Sequence, residues 1–327
     1  MNLLRAKRNS SFDTEQVWEE EALRGKTARR VRAQLRRLEP VAMLTPRWSA
    51  PQSFLEDIAL DLAVGEPAIG CRTISFRPLL GRSIPEAWNF LLRVLAELPG
   101  NSWEARPVPM VVDRRGFYYA AEFLLGEAHL EAPYPVALLG HGCEHLPVEV
   151  LEDIALVWAR YAAQAREDRR CTVLLSGCVD TPALDVGGAA KIELTDFAEP
   201  EAAASLVMQV GATSPVALAR AARFSGGVPA IINAIAGGAA EHGIPAQPED
   251  LLRCMGPVAE DIRGAMMQAM AHPDVADRLY QLLLGEPMIE EPQVDRELLM
   301  AGLLRRVHQL GPPMVELRSP VLAAVAI

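Results

Sequence analysis

No two cysteines in this 327-residue chain stand in a C-x-x-C arrangement. The five present (Cys71, Cys143, Cys171, Cys178 and Cys254) are odd in number and scattered, which suggests neither a thiolate zinc site nor a disulfide framework. No apolar run reaches the ~20 residues that span a bilayer. The leading Met1–Arg8 stretch is too short in apolar residues for a secretory signal. These absences lead to the expectation of a cytoplasmic protein with buried thiols and no membrane span. With half its residues hydrophobic and 23% charged, the chain reads as globular, and its length allows two domains with separate cores.

Charge is placed unevenly. The net charge is −10, yet residues 1–38 hold ten Lys/Arg against five Asp/Glu, a local +5 that leaves −15 on the remainder. An acidic body argues against a broad nucleic-acid surface. The basic leading segment suits protein contact or self-association. Thr14 to Leu38 reads as one helix, capped by Asp13 or Thr14, with Glu19, Glu20 and Glu21 in its early turns. Arg24, Lys26, Arg29, Arg30, Arg32, Arg36 and Arg37 crowd its later half. A grip on phosphate is one reading of those cations; a solvated helix whose charges suit its C-terminal dipole is the plainer one, and is the expectation.

The next stretch has the layout of a phosphate-binding loop: apolar Val41–Leu44, a turn, then an amphipathic helix with Phe54, Leu55, Ile58, Ala59 and Leu62 on one face. A working loop reads G-x-x-x-x-G-K-[ST], because glycines let backbone N–H groups wrap the phosphates and the Lys neutralises them. Here Thr45 and Ala50 stand at the glycines, Pro51 at the Lys and Gln52 at the hydroxyl. Proline offers neither charge nor N–H. Arg47 and Ser49 lie inside the loop as the groups that could meet an anion instead; an exposed loop Arg is the simpler reading.

Downstream, strands are expected at 71–76, 136–139, 171–177 and 191–194, the second a continuous apolar run and the third likewise read as a buried strand. Helices are expected at 84–98 (Ser83 as cap) and 148–165. Residues 99–134 hold an aromatic cluster and read as a hairpin or an inserted helix. The alternation argues for a parallel α/β sheet. From Glu199 the periodicity is helical: 199–210, 215–224, 230–238, 248–255, 258–271 and 274–284. A helix at 294–304, strands at 307–309 and 314–318 and a last apolar helix then outline a winged helix.

In that order the elements resemble the P-loop NTPases of the AAA+/STAND group. The matching residues are Ile192-Glu193-Leu194-Thr195-Asp196-Phe197 at a strand-to-lid junction and Arg223-Phe224-Ser225-Gly226-Gly227-Val228-Pro229-Ala230 at a lid turn. Leu298–Leu304 and Leu317–Leu322 match the small module after the lid. The resemblance covers roughly 38–327 and implies four parts: a basic N-terminal helix (1–38), an NTPase-like α/β core (39–197), a helical lid (198–285) and a winged-helix-like module (286–327). It also implies a metal-binding Asp after the third strand, where this chain has His141, a poor ligand for hard cations. Glu144 survives nearby and is expected to point at the following turn. Ser176 takes the polar position at the end of the next strand.

With Lys, hydroxyl and metal carboxylate all replaced, the resemblance implies a catalytically inactive member, a pseudo-ATPase acting as scaffold or adaptor through protein contacts, including active relatives or its own copies. No catalytic residue, metal or cofactor is expected. The alternatives are an ATP-binding regulator or weak ATPase with Mg²⁺, using Arg47, Ser49 and Glu144, and DNA binding through the winged helix. The last is weakened by charge: four Arg face six Asp/Glu between 285 and 327. His141-Gly142-Cys143-Glu144-His145 resembles a zinc motif only superficially.

Overall fold

The computed structural model describes residues 23–98, 108, 110–165, 168–177, 188–211, 214–240, 243–245, 247–285, 287–307 and 311–326. Five parallel strands form the central sheet: β1 (Val41–Leu44), β2 (Gly70–Ser75), β3 (Val136–His141), β4 (Cys171–Gly177) and β5 (Ala190–Glu193). Their order across the sheet is β2-β3-β4-β1-β5. Parallel neighbours require crossovers, and helices supply them on both faces.

One face carries α1 (Leu23–Arg36) and α2 (Pro51–Ala63). Val41 and Met43 of β1 meet Val31 and Leu35 there, together with Phe54, Leu55, Ile58 and Leu62, the stripe expected from the 3.6-residue period. The other face carries α3 (Ile84–Ala96), α4 (Arg114–Glu131) and α5 (Val148–Ala165) over Leu138, Val173 and Leu175. Ser83 and Glu86 close a capping box at the start of α3. The unread 99–134 stretch therefore contributes a helix; its residues 99–107 and 109, with Trp103, lie outside the description. Among its described aromatics only Phe117 is fully buried, stacked on Trp88 at 5.8 Å. The buried Asp153 carboxylate ties these three helices, accepting from Trp88 Nε1 (2.9 Å), Tyr118 Oη (2.7 Å) and Arg114 Nε.

The C-terminal half is helical: α6 (Glu199–Val210), α7 (Pro215–Ser225), α8 (Pro229–Ala239), α9 (Pro248–Met255), α10 (Pro257–Ala269) and α11 (Pro273–Leu283). Then come β6 (Met288–Ile289), α12 (Pro292–Met300), β7 (Leu304–Val307), β8 (Met314–Leu317) and α13 (Pro320–Ala326), with β6-β8-β7 forming a small antiparallel sheet. One hydrophobic cluster runs through all of it, from Ala202 to Val325. Beneath it the Arg278 guanidinium forks onto buried Asp295 at 2.9 and 3.0 Å.

Two expectations need correction here. The helix expected at 294–304 stops at Met300, because Gly302 (φ 75°) turns the chain. Leu303 N–H donates to Leu298 O at 2.9 Å and Gly302 N–H to Leu299 O at 3.0 Å, the paired bonds of a Schellman end. The strand expected at 307–309 accordingly begins at Leu304. β6 carried too short a signal to be expected at all. The Asp13/Thr14 cap proposed for the first helix lies outside the described residues, where α1 is seen from Leu23.

Candidate functional site

Parallel sheets gather their chemistry outside the carboxyl ends of the strands. There β1 runs through Thr45–Ala50 into α2, bent by two non-glycine residues in the left-handed region, Trp48 (φ 66°) and Ala50 (φ 48°). Two of the loop's N–H groups are used locally, Thr45 on Gly177 O (2.7 Å) and Ser49 on Pro46 O (3.2 Å). Its carbonyls take donors from elsewhere. Arg47 O accepts from Arg318 Nη1, and Trp48 O from the Ala230 N–H at 3.1 Å. Ser49 O accepts from Arg24 Nη2 at 3.1 Å; Ala50 O accepts from the same nitrogen at 3.4 Å and from the Ser53 hydroxyl at 3.1 Å. A phosphate loop offers N–H groups to an anion. This loop offers four successive carbonyls to donors, and three of them meet guanidinium groups.

Both guanidiniums are buried. Arg318, 1% exposed, forks onto Asp196 at 2.7 and 2.6 Å and also donates to Ser49 Oγ at 2.9 Å. Arg24 lies over the rings of Phe54 (5.1 Å) and Phe197 (4.8 Å). Burial lowers its pKa to about 10, with Asp196, Glu201 and Asp57 opposing and Arg318 adding to the fall, so it remains a cation at neutral pH. The Thr27 and Thr195 hydroxyls, 3.0 Å apart, add a further tie between α1 and the β5–α6 junction.

The Gly226-Gly227-Val228-Pro229 turn completes the joint. Phe197 N–H donates to Gly227 O at 2.9 Å, and a Cβ on Gly227 (φ 78°) would lie 1.9 Å from Phe197 O. Only glycine permits that approach. Pro229 opens α8, whose Ala230 reaches the loop.

Beside the loop lies an open cleft of about 510 Å³. Ala50, Pro51, Gln52, Ser53 and Glu56 line one wall, Ser75 and Arg77 follow β2, His141, Gly142, Glu144 and His145 follow β3, and Asn233 comes from α8. Gln52 Nε2 is held by Glu56 at 2.9 Å. Burial lowers the pKa of His141, against the pull of Glu144 and Glu56. Glu144 lines the cleft, its carboxylate 3.9 Å from His145 Nε2 in the 3₁₀ turn that holds both.

The remaining sequence-derived positions are placed as follows. The Thr45 hydroxyl donates to Gly177 O at 2.9 Å. The Arg47 side chain leaves the loop for Asp261 (2.6 Å), lying over Trp48, whose Nε1 bonds the same carboxylate at 2.7 Å. Ser176 sits in register with His141 and Met43, fully buried, its hydroxyl without a hydrogen-bond partner among the described residues. His141 ends β3 while Glu144 and His145 belong to a 3₁₀ turn, so the zinc-like spacing spans two elements. Among the described residues no group of three His, Cys, Asp or Glu is placed to hold a metal.

Sequence reasoning missed Arg24, Asp196 and Arg318 as a set. For Arg24 a signal existed: it falls on the same helical face as Val31 and Leu35, both fully buried. Arg318 and Arg47 are 271 positions apart, a separation no local pattern spans.

No protein-family model matches this sequence, and a comparison with curated proteins finds no match. Solved structures do match. A Walker-type ATPase of Pyrococcus abyssi aligns over 92% of this chain and 95% of its own, with a TM-score of 0.61 and 14% identity. Cdc6p from Pyrobaculum aerophilum aligns over 93% and 92%, at 0.49 and 13%. A STAND protein with a tetratricopeptide repeat sensor from Pyrococcus horikoshii aligns over 91% of this chain and 41% of its own length, at 0.44 and 11%. At such identities the likeness shows architecture. The chain has the fold of a P-loop NTPase: a parallel sheet core followed by a helical C-terminal region.

Proposed function

We propose that this chain is a catalytically inactive AAA+/STAND-type protein, a cytoplasmic scaffold or adaptor that works through protein contacts in a larger assembly, with a winged-helix-like module at its C-terminus. The observation that carries the reading is the filling of the β1–α2 loop. Arg318 and Arg24 bond to the Arg47, Ser49 and Ala50 carbonyls, and Arg318 is neutralised by Asp196. In an active enzyme a nucleotide's phosphates would join loop and lid through N–H groups and a Lys. Here the chain's own cations make that join permanently, from both ends of the sequence, onto a loop of inverted polarity. Pro51, Gln52 and His141 remove the cation, hydroxyl and metal acid at the same place.

A thermal-shift titration with Mg²⁺·ATP and Mg²⁺·ADP tests this. A ligand at a hundredfold excess over its Kd would stabilise the fold by about 2.7 kcal/mol. No shift is expected, and no phosphate release. Magnesium-dependent stabilisation by ATP overturns the inactive reading. One observation favours the second reading, a nucleotide regulator using substitute residues: the Ser176 hydroxyl, buried near the end of β4 without a partner among the described residues. On that reading Ser176→Ala abolishes a nucleotide-induced shift.

A further inference from the structure

We propose that the outer face of α1 is a docking ridge for a carboxylate-rich protein segment. This deepens the contact-scaffold reading and does not depend on the state of the nucleotide loop. α1 presents two faces at helical spacing. Arg24, Thr27, Val31 and Leu35 are buried. Lys26, Arg29, Arg30, Ala33 and Arg36, with Arg37 in the turn that follows, are exposed along one stripe.

The helix contains no acidic residue, and Arg29, Arg30, Arg36 and Arg37 have no ion-pair partner among the described residues. Many exposed arginines elsewhere meet carboxylates, as Arg160 does Glu122 (3.1 Å), Arg253 Asp250 (3.0 Å) and Arg306 Glu290 (2.8 Å); α1 is set apart by four exposed arginines on one helical stripe. Even on α1, Arg32 at the edge of the stripe takes Asp61. Like charges one turn apart repel, so the ridge carries a repulsion that an anionic partner relieves. Its rigidity suits it to binding: Arg24 and Thr27 pin the opposite face, and a pre-ordered surface loses less entropy on association.

The choice of anion follows from what surrounds the stripe. At 1.5 Å per residue it is about 16 Å long. Glu39 follows its end, Asp57, Asp61 and Glu66 lie on and beyond the neighbouring α2, and the chain beyond residue 38 carries −15. A nucleic-acid duplex laid along the ridge would run on over an acidic body. A short acidic segment of two or three turns ends where the ridge does. Guanidinium forks match carboxylates in pairs.

Fluorescence anisotropy tests the proposal on the full chain, with a labelled hexaglutamate peptide and a short DNA duplex as probes. The R29A/R30A/R36A/R37A variant is expected to bind the peptide about tenfold more weakly at low salt, the sum of four exposed pairs at a few tenths of a kcal/mol each. Added salt should weaken wild-type binding. A control R253A/R263A variant, which removes exposed cations elsewhere, leaves affinity unchanged, and matched circular dichroism shows that both variants fold. The Arg→Lys version, keeping charge without the fork, binds between the two. The proposal is overturned by equal peptide binding in the quadruple alanine variant. It is overturned too by tighter binding to the duplex, or by a ridge-dependent dimer that does not take the peptide. A nucleotide-induced shift would sink the inactive reading and leave this one untouched.

Discussion

Arg318 is 1% exposed and Asp196 10%, so each would be an uncompensated buried charge without the other. Breaking such a pair from one side typically costs about 3–5 kcal/mol, whereas replacing both partners by apolar groups is often near neutral. Asp196→Ala should therefore lower the free energy of unfolding, read from urea titration, by that order. The Asp196→Ala/Arg318→Met double variant should recover a large part of the loss, because the stranded cation is gone. A double-mutant cycle reads the coupling. Additive losses would mean that Arg318 reaches water and that the loop carbonyls do not depend on it. That Pro51, Gln52 and His141 stand where the resemblance implies a Lys, a hydroxyl and a metal carboxylate was legible in the sequence. The replacement that fills the loop was not, because a single Arg near a strand end looks like any other.

Among the elements, the Gly226-Gly227-Val228-Pro229 turn does the most joining. It brings Phe197 against Gly227 and delivers Ala230 to the Trp48 carbonyl. Gly227→Ala puts a Cβ 1.9 Å from the Phe197 oxygen at a φ of 78°, a backbone collision that no rotamer relieves. A loss of about 2 kcal/mol or more in equilibrium unfolding is expected. Gly243→Ala is the control: it shares the left-handed φ (76°) but has open space around it, and it should lose only the strain, about 1 kcal/mol. Equal losses at both positions would remove the turn from its place as the joint. The helices around this turn were readable from their periods, and the glycines marked the turn. Which carbonyl the second glycine approaches required the packed structure.

At the scale of the whole molecule, two cores flank the sheet and a third fills the helical C-terminal region. Arg318, on the third unit, crosses to the β1–α2 loop. That tie should make heat unfolding a single cooperative transition by calorimetry, whereas Arg318→Ala should resolve it into two, since separate cores without a strong joint unfold separately. A wild-type chain already melting in two steps would show that the arginine does not couple the units.

Local rules by themselves determined most of the order of strands and helices, because apolar runs, the period of 3.6 and the Pro and Gly positions act over a few residues at a time; the helix within 99–134 and the two-residue β6 escaped them. They determined as well that residues 45–52 lack the groups a phosphate loop uses. Only the tertiary structure decided that the loop's carbonyls face two buried arginines from opposite ends of the chain. The physical reason is distance along the chain. The hydrogen bonds from Arg24 to Ser49 and Ala50, and from Arg318 to Arg47 and Asp196, exist only once three separate cores have closed around them.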